Sequence, residues 1–344
     1  MSIATELTLL ANSKQAIKNS INAKGGSITD STPFADYSTA IDNLPSGGSG
    51  NPVLTSIDVS DFTGTTFNAA TSYITDITIP SGVTSIGDSA FRSCTSLTSV
   101  TIPSGVTILG SNAFDGCIGL TVLDIPSGVT SVGQNCFNAC YLLQHLSFSS
   151  SLTSIAARAF YGCSKLQYLV FNSTTPPTLA NANAFSTTNN CPIYVPASSV
   201  DTYKAANNWS NYASRIYPIQ QVATVDNTPV YNYEIGNKDA TAILSTEMAK
   251  LPTGTSIEFA EGVVEIGGQL GAYEDVTLPS TFTGFIDTQP INAATTTLTS
   301  KATTPPTAER DNFGGSGLTA IYVPSESVDT YKAASGWSTY ADRI

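Results

Sequence analysis

One stretch of the chain repeats itself at a fixed interval, and no other feature restricts the fold as tightly. Between Asp76 and Asn172, the pairs Ile79-Pro80, Ile102-Pro103, Ile125-Pro126, Phe148-Ser149 and Phe171-Asn172 fall 23 residues apart. The same step of 23 joins Phe91, Phe114, Phe137 and Phe160, and also Cys94, Cys117, Cys140 and Cys163. Leu97, Leu120, Leu143 and Leu166 follow it. So do Val83, Val106, Val129 and Leu152, and behind them Ile86, Leu109, Val132 and Ile155. A period of this length belongs to solenoids, whose units bury their apolar faces against one another.

The unit from Leu97 to Ile118 shows what each turn must do. Leu97 to Ile102 alternates apolar and polar, which predicts a short strand with Val100 and Ile102 buried. Pro103 ends it, having no N–H for a ladder. Ser104-Gly105 turns the chain, Val106 to Leu109 returns apolar groups to the interior, and Gly110 allows a second sharp turn. Asn112 to Cys117 reads as one loose helical or 3₁₀ turn, with Ala113, Phe114 and Cys117 inward. Like positions then stack at strand spacing, roughly 4.7–4.9 Å. Each large buried rung is worth roughly 1.5–3 kcal/mol before entropy is counted.

The run of Leu, strand residues, Ile-Pro, a Val-Thr-x-Ile-Gly turn and Ala-Phe-x-x-Cys resembles the BspA-like leucine-rich repeat. Residues 77–103 and 100–126 meet it almost position by position. The resemblance covers about residues 53–172 and is degraded over 250–300. The fourth unit departs from it, with Phe148-Ser149 in place of Ile-Pro and Ala156 in place of Gly. The fold class implied is an α+β repeat solenoid with short strands stacked in a sheet. Such solenoids serve many binding roles, so the resemblance speaks of fold more than of function.

Residues 1–48 form a separate piece. Ile3, Leu7, Leu10, Ile17 and Ile21 make an apolar stripe at heptad spacing, ended by Gly25-Gly26. Thr32-Pro33 opens a second helix with Phe34, Tyr37, Ile41 and Leu44 on its apolar side. The stretch Pro45 to Pro52 reads as a flexible linker, its last part at 49–52. Two such helices are too small to be stable alone and need a partner surface or copies of themselves. Lys14 to Ile21, Gly25-Gly26, Thr32 to Tyr37 and Ile41 to Leu44 together resemble an N-terminal segment of tailed-phage structural proteins. That resemblance implies docking on a virion or homo-oligomerisation, a trimer being favoured. An ordinary helical cap on the solenoid is the alternative, and the Gly/Ser linker weighs against it.

The remaining boundaries follow from the pattern. The solenoid spans 53–172, with an imperfect opening unit at 53–75. Residues 173–217 and 302–344 duplicate each other as caps: both begin Thr-Thr-Pro-Pro-Thr, and Ile193 to Pro196 answers Ile321 to Pro324. Val200, Tyr203, Trp209 and Tyr212 are expected to cover the last raw apolar face, as core rather than as sugar platforms. Between the caps, 218–301 is a short second repeat module. Ile257 to Gly267 and Val276 to Pro279 echo the repeat there. Strands are expected at Val222 to Val225 and Val230 to Tyr233, and a helix at Ala240 to Lys250.

Only 12% of residues are charged and the net charge is −12. Without a basic cluster, nucleic acid is excluded as a partner. Met1 to Ala23 lacks the apolar core of a secretory signal, and no run reaches the ~18 apolar residues of a membrane span. With no C-terminal sorting tail visible, synthesis in a host cytoplasm and a final place on the virion surface are expected. The four rung cysteines, with Cys136 and Cys191, read as buried free thiols. A single histidine, His145, and no Cys-x-x-Cys argue against zinc and against any cofactor.

No catalytic constellation stands out. His145 falls outward on its strand with no nucleophile elbow near it. Glu261/Glu265 and Glu274/Asp275 lack an apolar enclosure and read as charged surface. The better candidate is the outward strand face: Asp76, Ser99, Val122, His145 and Tyr168, then Thr78, Thr101, Asp124, Ser147 and Val170. Of these, Asp76, Thr101, Val122, Asp124, His145 and Tyr168 are the candidate ligand-binding residues, for a glycan or a protein. The expected function is that of a non-enzymatic phage virion protein of tail- or head-fibre type. A bacterial BspA-like adhesin and a ligand-free decoration protein are the alternatives.

Overall fold

The computed structural model describes the strands Ser56–Ile57 and Thr66–Phe67 and then residues 75–344, apart from 239, 271, 287–290, 292–293, 309–312 and 314–316. The helices expected in 1–48, including Ile3, Leu7, Leu10, Ile17, Ile21, Phe34, Tyr37 and Ile41, lie outside the described residues, as does the linker. The chain divides into two compact units, 1–216 and 217–344.

The first unit is a parallel solenoid with three sides. Its front carries the strands Asp76–Thr78 and Ser99–Thr101, then His145–Phe148, Tyr168–Phe171 and Ile193–Pro196. Ile77 pairs with Val100, Leu146 with Leu169, and Leu169 with Ile193. Between the two groups, Val122 makes an isolated bridge to His145. The second side is a sheet of two-residue strands in which Ile86, Leu109, Val132, Ile155 and Leu179 are successive rungs.

The third side is a ladder of turns, and its hydrogen bonds explain its shape. Ala113, Asp115 and Cys117 donate within their own turn, to Gly110, Asn112 and Phe114. The intervening Asn112, Phe114 and Gly116 donate to the next unit, to Gln134, Cys136 and Asn138. Alternate N–H groups thus point along and across the stack, which accounts for the buried backbone. The alternation needs left-handed residues at fixed places. Ser89, Asn112, Asn135 and Arg158 have φ of 60°, 56°, 53° and 55°, and Ser93, Gly116, Ala139 and Gly162 have 61°, 75°, 56° and 80°.

The expected apolar ladders form. The Phe91, Phe114, Phe137 and Phe160 rings stack with centroids 5.1, 5.4 and 5.5 Å apart and planes within 14°. Phe185 of the first cap adds a further ring at 5.3 Å. The six cysteines are buried free thiols. Cys117, Cys140 and Cys163 donate to the carbonyls of Phe91, Phe114 and Phe137 one unit earlier, at 3.0, 3.1 and 2.9 Å. Outside, Thr107, Thr130 and Thr153 hydroxyls donate to Thr84, Thr107 and Thr130 carbonyls, a polar seam parallel to the greasy one. Two expectations fail. Ile108 is exposed rather than inward, because a two-residue strand sends only one of its pair, Leu109, to the core. Val170, expected outward, is 1% exposed: it lies apart from the main core but is covered beside the equally buried Tyr194.

The first cap closes this stack with aromatic groups whose polar ends are all bonded. Tyr203 and Trp209 are buried edge to face at 4.9 Å, with Tyr203 donating to Ser173 O and Trp209 Nε1 to Pro177 O. Trp209 packs against Phe171 and Phe185, and both it and Tyr203 belong to the core, as expected.

In the second unit, Gln221–Val225 and Thr228–Tyr231 form an antiparallel hairpin turned by Asp226-Asn227, both at positive φ. The hairpin pairs antiparallel with Ser256–Phe259. Parallel strands follow, with Ile257, Val276, Leu298 and Ile321 as rungs. The steps are 19, 22 and 23 residues, so Leu298 supplies a rung that the sequence pattern hides. Two expectations are corrected here. The second hairpin strand stops at Tyr231 because Asn232–Ile235 is a helical turn. Residues 240–250 hold only the helical turn Ser245–Met248, while Ala242–Ile243 is a strand beside Glu265–Ile266. The Glu247 carboxylate accepts from Leu244 N–H and Asn237 Nδ2 donates to Ala242 O, fixing strand and turn in place of a longer helix. The second cap repeats the first: Tyr331 and Trp337 meet edge to face at 4.9 Å, and Trp337 Nε1 donates to Pro306 O.

Candidate functional site

The candidate site is the outward front of the first unit. It exists because strand alternation that buries Ile77, Val100, Leu123, Leu146 and Leu169 must send their neighbours out. Asp76 is in register with Ser99, which donates to its carboxylate at 2.9 Å, and Thr75 Oγ1 donates to the other oxygen. Asp76 is thereby already held by its own sheet. Val122, His145 and Tyr168 are consecutive rungs. The His145 imidazole lies flat on the Tyr168 ring, centroids 5.0 Å apart and planes 13° apart. Tyr168 in turn meets Tyr194 edge-on at 6.5 Å. Val122 is 41% exposed beside this stack. Thr101 and Asp124 are exposed two residues after Ser99 and Val122 respectively.

The structure therefore brings Val122, His145 and Tyr168 together and leaves Asp76 four rungs from Tyr168, roughly 19 Å at strand spacing. Tyr194 belongs with the group as the buried end of the aromatic run. Tyr194 pairs with Val170, two residues along the strand from Tyr168. The arrangement is a ridged surface of one aliphatic side chain, a flat ring pair and scattered hydroxyls and carboxylates. Such a surface suits stacking and hydrogen bonding rather than bond-making chemistry.

Elsewhere the titratable groups serve the fold. Burial pushes the Cys163 and Cys191 thiols up to about 12, and pushes Cys117, Cys136 and Cys140 upward as well, so none is a ready nucleophile. Glu261 accepts from Ser280 N–H and Oγ, bonds that hold its carboxyl below the ordinary value. Among the described residues, no group of three or more His, Cys, Asp and Glu is placed to hold a metal ion. Among them, too, no helix is long and apolar enough to cross a membrane.

With stacked strands, turn ladder and Phe and Cys rungs in view, comparison with known families gives a direct answer. Residues 62–193 match the BspA type leucine rich repeat region, in six copies. No curated protein sequence matches the chain. Among solved structures, the chain is similar to a leucine rich repeat protein of T. pallidum, at 24% identity and TM-score 0.32, over 44% of this chain and 66% of that one. It is similar to a leucine rich cell surface protein of Faecalibacterium prausnitzii, at 20% identity and TM-score 0.30, over 78% and 86%. It is also similar to the pneumococcal vaccine antigen PcpA, at 16% identity and TM-score 0.32, over 79% and 76%. BspA-type repeats of this kind are typically non-enzymatic binding scaffolds.

Proposed function

We propose that the chain is a non-enzymatic recognition protein of a bacteriophage virion, of tail- or head-fibre type. Residues 1–48 attach it to the particle as a homo-oligomer, a trimer being favoured. The leucine-rich-repeat front then presents Val122, His145 and Tyr168, flanked by Asp76, Thr101 and Asp124, to a host-surface glycan or protein. The observation that carries the recognition role is the flat His145–Tyr168 ring pair, partly open to solvent on a sheet whose inner face is packed. The attachment role rests on the pattern of residues 1–48.

The test replaces Asp124, His145 and Tyr168 together by Ser and measures adsorption to host cells and binding to a glycan array. Loss of binding with unchanged circular dichroism is expected, and undiminished binding overturns the role of this face. Deleting residues 1–48 is expected to abolish incorporation into particles, and particles that still carry the truncated chain overturn the anchor. A bacterial BspA-like cell-surface adhesin is the second reading, favoured by the repeat match itself. Detection of the protein on a bacterial envelope in the absence of particles would decide for it. A screen that stays blank for every glycan and host surface would leave a ligand-free decoration protein.

A further inference from the structure

Hydrogen-bonding capacity is spent unevenly across the front of the first unit. Toward its start the Asp76 carboxylate is taken up by Ser99 Oγ and Thr75 Oγ1, at 2.9 and 2.8 Å. Further along, Asp124 is exposed, and among the described residues its carboxylate has no hydrogen-bond or ion-pair partner. On the next rung neither ring nitrogen of His145 is hydrogen-bonded among the described residues. Val122 pairs with His145, so the same register sets Asp124 opposite Ser147. The Ser147 side chain is exposed and accepts from Asn172 Nδ2 at 3.3 Å. At strand dimensions the Cα atoms of Asp124 and His145 lie roughly 8 Å apart on the diagonal. Ring orientation decides what His145 presents. Stacked planes on paired rungs turn their faces along the row, so His145 has Tyr168 on one face and the Val122 rung on the other. Its distal edge, which carries Nε2, points away from the sheet. An open carboxylate, an imidazole edge and a hydroxyl thus stand beside one exposed aliphatic side chain, Val122.

We infer that this corner of the front binds a neutral glycan through two neighbouring hydroxyls of one sugar, and discriminates against acidic glycans. The inference rests on the recognition role proposed above and narrows its ligand. An ionised carboxylate only accepts, so Asp124 calls for a donor. A neutral imidazole offers one donor and one acceptor, and a serine hydroxyl can do both. A sugar hydroxyl also donates and accepts at once. One hydroxyl can therefore give its proton to Asp124 while its neighbour meets His145 or Ser147, with the C–H groups between them resting on Val122. A protein partner would instead need a packed pocket for a large anchor, and this corner offers one valine. Charge then decides among sugars. The front strands from Asp76 to Pro196 hold no Lys or Arg. Lys165 stands three residues before Tyr168, roughly 10 Å back along the chain, and Arg158 is engaged over the Tyr161 ring. A carboxylate, sulfate or phosphate on the ligand would thus be set against Asp124 with no base alongside, a like-charge contact that interfaces avoid. An ammonium would gain Asp124 but leave His145 and Val122 unused.

The test uses the full chain on an array that prints neutral oligosaccharides beside their sialylated, sulfated and de-N-acetylated counterparts. Neutral members are expected to bind, with the charged counterparts weaker by about tenfold or more. Mild periodate cleaves the carbon–carbon bond between neighbouring hydroxyls, and treating the array with it is expected to abolish the signal. Asp124→Ala should weaken the best neutral hit by about tenfold. Asp124→Asn keeps an acceptor and removes the charge, so it should narrow the gap between neutral and acidic forms. The Asp124 side chain is exposed and bonds to no described residue, so neither change removes a contact of the fold. No neutral hit, charged forms bound as well as neutral ones, or a hit that survives periodate or is unmoved by Asp124→Ala each overturns the inference. The recognition role beneath it fails separately, if replacing Asp124, His145 and Tyr168 together leaves host-cell adsorption unchanged. If that replacement abolishes adsorption while the array gives no neutral hit, the face recognises another ligand and this inference alone is overturned.

Discussion

The two units stack strands in parallel, each under its own copy of the duplicated aromatic cap, and they differ in how their rungs are made. In the first, the Phe, Leu and Cys columns of the core each hold one residue type at a constant step, so Phe lies on Phe and thiol follows thiol. In the second, the rungs Ile257, Val276, Leu298 and Ile321 come at steps of 19, 22 and 23, and Phe259 is followed by Leu278 and then Ser300. Constant steps let one turn geometry recur, with its alternating hydrogen bonds. Unequal steps require local devices instead: Asp226 gathers Thr255 and Ser256, Glu261 gathers Ser280, and Tyr273 OH is bonded to Pro252 O. The first unit is held by repetition in its interior and the second by particular polar clasps at its surface.

Because the two devices titrate differently, pH should separate them, and this is the largest effect expected. The cysteines all lie in the first unit. Cys163 and Cys191 have folded values near 12, raised by burial, against roughly 8.5 in an unfolded chain. A raised thiol contributes stability that is whole below the unfolded value and is lost as pH rises toward the folded one, about 1.4 kcal/mol per pH unit for each thiol. With Cys117, Cys136 and Cys140 shifted the same way, the first unit should lose several kcal/mol between about pH 8.5 and 10. The second unit has no thiol. Its exposed Asp226 and Glu261 are shifted downward by hydrogen bonds, so their contribution is present above about pH 4 and fades as pH falls below it. Hydrogen exchange followed separately over 75–216 and 217–344 checks both windows. Equal loss by the two units at alkaline pH would break the comparison.

Next in size is the ring ladder. Phe137 is fully buried between Phe114 and Phe160, and Phe137→Ala should cost about 3–5 kcal/mol in urea unfolding. Phe282 is as buried but, among the described residues, meets a single ring, Phe285, edge-on at 4.9 Å. Phe282→Ala should therefore cost less, by roughly the 0.5–1.5 kcal/mol of the one missing ring pair. A smaller loss is expected for Gly133→Ala. Its methyl would stand 2.5 Å from the backbone of Gly110 and Ser111, and such overpacking costs about 1–3 kcal/mol. Gly284→Ala in the second unit meets Thr307 O at 3.1 Å, so it should shift the melting temperature less. If the two glycines respond alike, the tight register claimed for the first unit is wrong.

The same contrast explains what could be read from the sequence. Equal steps place like on like, so the Phe, Leu and Cys columns were plain before any coordinates. The Leu298 rung was not, because trimming the preceding unit moved it out of phase. Alternation located Val122, His145 and Tyr168 on one face, but it carries no information on what else covers a face, and so it misplaced Val170. The turn ladder depends on the sign of φ at Ser89, Asn112, Asn135 and Arg158, and none of these is the glycine that would announce a left-handed residue.

The smallest effect bears on that turn ladder most directly. Ala139 has φ of 56° at a place where the units on either side put Gly116 and Gly162, at 75° and 80°. An L-residue in this conformation costs roughly 1–2 kcal/mol, while glycine there adds about 0.5–1 kcal/mol of unfolded-chain entropy. Ala139→Gly should therefore stabilise the first unit by up to about 1 kcal/mol, seen as a higher urea midpoint with an unchanged slope. The converse, Gly162→Ala, should destabilise by a similar amount, since its methyl would have ordinary space, 3.5 Å from Ala139, and only the backbone would object. Opposite signs at adjacent rungs of one column mean that backbone handedness, set once per unit, holds the turns in register. If both substitutions destabilise, the Ala139 methyl contributes packing that outweighs its strain, and side-chain contact rather than handedness holds this edge of the solenoid.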